Sequence, residues 1–170
     1  MHLPTPKLIF VAGYLLTISC GQEPTLRLKL KTDIRAKEML RNLHINIRDI
    51  HIQPIGFGLT IDHQITPEWI PLPPLHNRID AFDAQKKAIV IAQFQPPKNR
   101  YQRLFLRANR ITGINRFGDT VELENVLEPI GMELQITGKR RREITLTLIV
   151  LKGIRNPKKL SIYAKDIEVD

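Results

Sequence analysis

The sequence predicts an all-β protein: one domain, an antiparallel β-sandwich of about eight or nine strands. Three observations lead there. Apolar and polar residues alternate with a period of two in several separate runs. Glycine or proline clusters punctuate those runs at roughly ten-residue spacing. Beyond residue 20 there is no second long apolar run, so the domain itself is not expected to span a membrane.

The elements follow in chain order. Leu26, Leu28 and Leu30 alternate with Arg27, Lys29 and Lys31, the pattern of a strand with one buried face. Ile34–Leu40 is the one helical candidate, with Thr32-Asp33 before it as a cap. Leu43, Ile45 and Ile47 alternate with His44, Asn46 and Arg48, after which the phase slips to Ile50 and Ile52. One extra residue near Arg48-Asp49 restores the facing, so a β-bulge is predicted there. "IGFGL" at Ile55–Leu59 and "FGDT" at Phe117–Thr120 read as glycine turns. "PLPPL" at Pro71–Leu75 and "QPPKN" at Gln95–Asn99 read as proline loops that stop a strand. Asp80 and Asp83 fall in a loop-like stretch, without spacing that implies a paired acid and base. Met132, Leu134 and Ile136 alternate again, and "GKRRRE" at Gly138–Glu143 joins them as a hairpin to the next run. There Ile144, Leu146, Leu148 and Val150 are predicted to face the core, with Thr145, Thr147 and Ile149 on the other face. "RNP" at Arg155–Pro157 ends that run.

The first twenty residues differ from all this. Leu8–Ile18 is an apolar run without a helical stripe, too short to span a bilayer, which takes about 20 residues. Lys7 precedes it and the small Ser19 closes it, the order of a secretory signal. Leu16-Thr17-Ile18-Ser19-Cys20 resembles the lipobox of bacterial lipoproteins, with Thr17 where that family prefers Leu. The resemblance implies cleavage before Cys20 and a diacylglycerol on its sulfur. It gives residues 1–19 as signal peptide, 20–25 as lipidated tether and 26–170 as the sandwich domain. Cys20 is the sole cysteine, so no intrachain disulfide supports the fold, and a lipid anchor explains an exported thiol. Gly21-Gln22, in place of Asp, after the cysteine favours the outer membrane by resemblance to the enterobacterial sorting rule.

The order of the later segments resembles a family of bacterial lipoprotein domains of unknown function (DUF4382), which form prealbumin-like sandwiches. The carrying pieces are Thr32-Asp33, "LHINIRDIHIQ" at Leu43–Gln53 and Trp69-Ile70-Pro71-Leu72. They continue with Asn77–Phe82, then Asn99–Leu106 with Tyr101 and Leu104, and the closing "EITLTLIVL" and "DIEV". Asn99 stands in place of the usual glycine, Phe105 in place of the usual arginine, and Ile55–Glu68 reads as an insertion. The family carries no catalytic residues over.

The composition is that of a folded domain, 42% hydrophobic and 25% charged, with a formal net charge of +9 that falls to +8 without Lys7. That excess is concentrated. Lys139, Arg140, Arg141, Arg142, Lys152, Arg155, Lys158 and Lys159 face Glu143 alone between residues 139 and 159. Lys139, Arg140, Arg141 and Arg142 are therefore candidate anion-binding residues, for lipid headgroups, acidic glycans or an acidic partner. The strand between the two clusters spans on the order of 30 Å, which sets them at opposite ends of the sandwich. The rival, enzymatic reading takes Asp49, His51, Asp62 and His63 as a metal-binding or catalytic neighbourhood, since strand residues two apart share a face. No G-x-S-x-G, Walker A or dinucleotide glycine pattern occurs. No catalytic set, cofactor, structural metal or nucleic-acid partner is expected. The expected protein is a membrane-anchored envelope domain that works by binding or as structure.

Overall fold

A computed structural model describes residues 24–55, 68–137, 141–153 and 159–170. Eleven strands form two facing sheets: β1 (Leu26–Ile34), β2 (Leu40–Pro54), β3 (Ile70–Leu72), β4 (Arg78–Asp80), β5 (Ile89–Phe94), β6 (Arg100–Asn115), β7 (Thr120–Glu122), β8 (Glu124–Val126), β9 (Ile130–Gln135), β10 (Arg142–Lys152) and β11 (Leu160–Val169). The all-β class holds, with more strands than the sequence suggests. β3, β4, β7 and β8 are three residues each, too short for alternation to show.

One sheet has the order β5-β1-β10-β11-β8. The other runs β3-β2-β6-β7, with β4 also on β2 and β9 also on β6. The sheets are mixed, a correction to the purely antiparallel expectation: β1 pairs parallel with β10, and β11 parallel with β8. The β1–β10 pair joins strands more than a hundred residues apart, and alternation in each strand says nothing about its direction.

The strand faces follow the sequence. Leu26, Leu28 and Leu30 on β1 and Ile144, Leu146, Leu148 and Val150 on β10 are buried. They lie in register in parallel, Leu28 beside Ile144 and Leu30 beside Leu146. Leu43, Ile45, Ile50 and Ile52 of β2 and Leu104, Leu106 and Ile111 of β6 supply the other half of the core. Leu104 and Leu106 of one sheet and Leu146 and Leu148 of the other line the same small internal gap, which is the meeting plane of the sandwich. The predicted slip is present: the β2–β6 register shifts on both sides of Ile47, and Ile50 and Ile52 return to the core.

Three details differ from expectation. Ile34 closes β1 and Leu40 opens β2, leaving only a 3-10 turn at Lys37–Met39 where a helix was predicted. Thr32 is no cap there; its hydroxyl donates to the carbonyl of Ala81. The true helix is α1 (Ala81–Lys86), in the stretch read as loop, where the Asp80 carboxylate accepts from the Phe82 and Asp83 amides at 2.8 and 3.3 Å. Thr147 and Ile149 are also buried, at 6% and 8% exposure, so the distal half of β10 is covered on both faces.

Candidate functional site

The first strand decides where the head of β10 lies. β1 and β10 start side by side, with Leu26 opposite Arg142 and the Arg142 amide donating to the Thr25 carbonyl at 3.0 Å. β11 runs back to the same end, where the Asp170 amide donates to the Glu143 carbonyl at 3.0 Å. β9 also finishes here: the Ile136 amide donates to the Asn99 carbonyl at 2.7 Å, and Ile55 to the Arg100 carbonyl at 2.9 Å. One end of the sandwich thus gathers the start of β1, the start of β10 and the loop between β5 and β6.

Of the four residues predicted to bind anions, Arg141 is exposed and Arg142 is half-buried at the head of β10. The Arg142 Nε is enclosed and makes no hydrogen bond among the described residues. Lys139 and Arg140 lie outside the described residues, as does Cys20 with the expected signal segment. The fold adds Lys98 and Arg100, both exposed on the β5–β6 loop. Sequence reasoning missed them because that loop comes to the head of β10 only through strand pairing, β5 on β1 with Leu26 opposite Phe94 and β1 on β10 with Leu26 opposite Arg142. Among the described residues no ion pair involves Lys98, Arg100, Arg141 or Arg142.

Two titratable groups at this end are displaced. The Glu143 carboxyl is held below the usual carboxylate range, chiefly by its hydrogen bond from Lys29, with the charges of Lys29, Arg27 and Arg141 assisting against its desolvation. Glu143 is thus hydrogen-bonded to Lys29, and Arg141 acts on it only through its charge. The Tyr101 hydroxyl is pushed up by burial, opposed by the hydrogen bond it accepts from the Lys98 amide at 3.1 Å. That bond ties the cationic loop to a fully buried ring.

The enzymatic candidates separate differently. Asp49 and His51 do share a face, with His51 Nδ1 3.4 Å from Asp49 Oδ1. Arg48 and Arg107 also stand against Asp49, at 3.6 and 3.8 Å. Both guanidinium groups approach Oδ2, while Oδ1 is enclosed and makes no hydrogen bond among the described residues. Asp62 and His63 lie outside the described residues. Among the described residues no three His, Cys, Asp or Glu side chains converge as metal ligands. No described helix is long and apolar enough to cross a membrane.

No family model matches the chain, and no curated protein matches it. A structure described as the NMR structure of the protein from Eubacterium rectale is 13% identical, with a TM-score of 0.26, over 88% of this chain and 94% of the other. At that TM-score the likeness carries no argument.

Proposed function

We propose that this protein is a lipid-anchored domain of the bacterial cell envelope, on the outer membrane, with a binding or structural role and no catalysis. The observation that carries the reading is the apolar run Leu8–Ile18 ending at Ser19-Cys20, six residues before the first strand of an all-β domain. Those six residues reach at most about 20 Å, so acyl chains on Cys20 would hold the sandwich close to the bilayer. One acyl chain gives marginal binding and two give stable anchoring. The carriers of anion binding in this reading are Lys139, Arg140, Arg141 and Arg142, facing an anionic envelope component or an acidic protein. The enzymatic alternative rests on Asp49 and His51, which share a face with Arg48 and Arg107 against the same carboxylate.

The test is Cys20→Ala in the producing cell, with the parent's mature form followed by mass and by detergent partitioning. The expected result is loss of processing or release of the protein from membranes. A variant that is processed and still partitions into detergent like the parent contradicts the reading.

A further inference from the structure

We infer that the end of the sandwich at which β1 begins is a membrane-docking face, and that Lys98, Arg100 and Arg141 set it against the anionic headgroups of the bilayer that holds the anchor. The inference deepens the proposed anchoring by naming the surface and its partner.

Three observations converge. The tether joins the domain at Leu26, and the parallel β1–β10 register puts Arg142 directly beside that point. The cations there come from separate segments, the β5–β6 loop and the head of β10, which flank the start of β1 through Phe94 and Arg142, both opposite Leu26. They are exposed and make no ion pairs among the described residues, so their charge is available to phosphate groups. At the other end Lys152 is engaged with Glu38 at 3.6 Å and Arg35 with Asp33 at 3.2 Å, while Arg116 and Lys159 are exposed and make no ion pair among the described residues, so distance from the tether separates the two ends.

Distance decides which cluster meets the bilayer. Nine residues of β1 carry the far end on the order of 30 Å from Leu26, about three Debye lengths at 0.1 M salt. The far cluster is screened from a surface the near cluster touches. An acidic glycan or protein fits the same charge but has no reason to favour the end where the tether joins. An acylated chain with adjacent cations has the two signals that membrane proteins combine for firm binding.

The experiment uses residues 21–170, unlipidated, because the described core lies wholly between Leu26 and Ile167. Its binding to vesicles of phosphatidylcholine alone is compared with vesicles that also contain phosphatidylglycerol, at low and moderate salt. The expected result is a preference for the anionic vesicles that falls with salt. Lys98→Ser, Arg100→Ser and Arg141→Ser together should weaken anionic binding by roughly a hundredfold, at about fivefold per cation near the surface. Lys152→Ser with Lys159→Ser should leave it unchanged, and unchanged thermal melting certifies that both variants fold. No preference for anionic vesicles, or equal loss in both variants, overturns the docking face. Neither result touches the acylation of Cys20, whose failure would appear separately in the Cys20→Ala experiment.

Discussion

Both ends of this sandwich carry basic residues, and at each end some are paired with acids and some are not. At the far end, Lys152, Arg35 and Lys165 find Glu38 and Asp33, and Glu38, Met39, Phe117, Val121 and Leu160 help line a cavity of about 560 Å³. At the near end, Glu143 is taken by Lys29, and Lys98, Arg100 and Arg141 stand exposed on the surface. The difference teaches that the number of cations in a segment is a poor guide to what it can bind. The pairing of strands determines which of them keep an uncompensated charge and which way they face.

Both ends rest on one core, and the largest expected effect tests that premise. Leu146 is buried midway along β10, so Leu146→Ala should cost roughly 2–5 kcal/mol in chemical denaturation. Thr145→Ala, on the half-buried outer face, should cost far less. A Leu146→Ala cost no greater than that of Thr145→Ala would mean the strand phase is wrong, and the comparison of ends with it.

A smaller effect sharpens the near end alone. Tyr101→Phe removes the hydroxyl that accepts from the Lys98 amide. It should cost about 0.5–1.5 kcal/mol and weaken anionic vesicle binding while the far-end ion pairs stay in place. Unchanged stability and binding would show that this bond does not hold the loop.

The smallest effect is the ion pair of Lys29 with Glu143. Because the folded carboxyl lies below its usual range, its stabilisation is present above that range and is lost as pH falls through the lowered folded value. Glu143→Gln should therefore destabilise by a few tenths to about 1 kcal/mol at neutral pH, and the gap from the parent should close as pH drops well below about 4. A gap that persists in acid would assign the loss to packing instead of charge.

Much of the fold was legible because alternation is a local signal. β1, β2 and β10, their inward residues and the slip around Ile47 all follow from which neighbours are apolar. Partnership was not legible. Nothing in Leu26–Ile34 announces a parallel neighbour far along the chain, nor does "QPPKN" announce that its loop lies at the end where β1 and β10 begin. The helix α1 had a local signal in Asp80, but six residues give too little period to outweigh a loop. Thr147 and Ile149 are buried by tertiary cover that a period-two reading cannot see. Half of the predicted cation cluster, Arg141 and Arg142, is placed by the structure at the end where β1 begins.

The central claim is that one end faces the bilayer and the other does not. The lipidated protein offers a direct test, since its sole cysteine is expected to be acylated and silent to thiol dyes. Cysteines introduced singly at Asn99 and Arg116, both exposed and flanking the two ends of β6, stand on the order of 50 Å apart along that strand. Each would carry a fluorophore, with a quencher borne on the lipid headgroups of reconstituted vesicles. The account predicts strong quenching at residue 99 and none above background at residue 116. Equal quenching at both positions, or quenching at 116 alone, would contradict it.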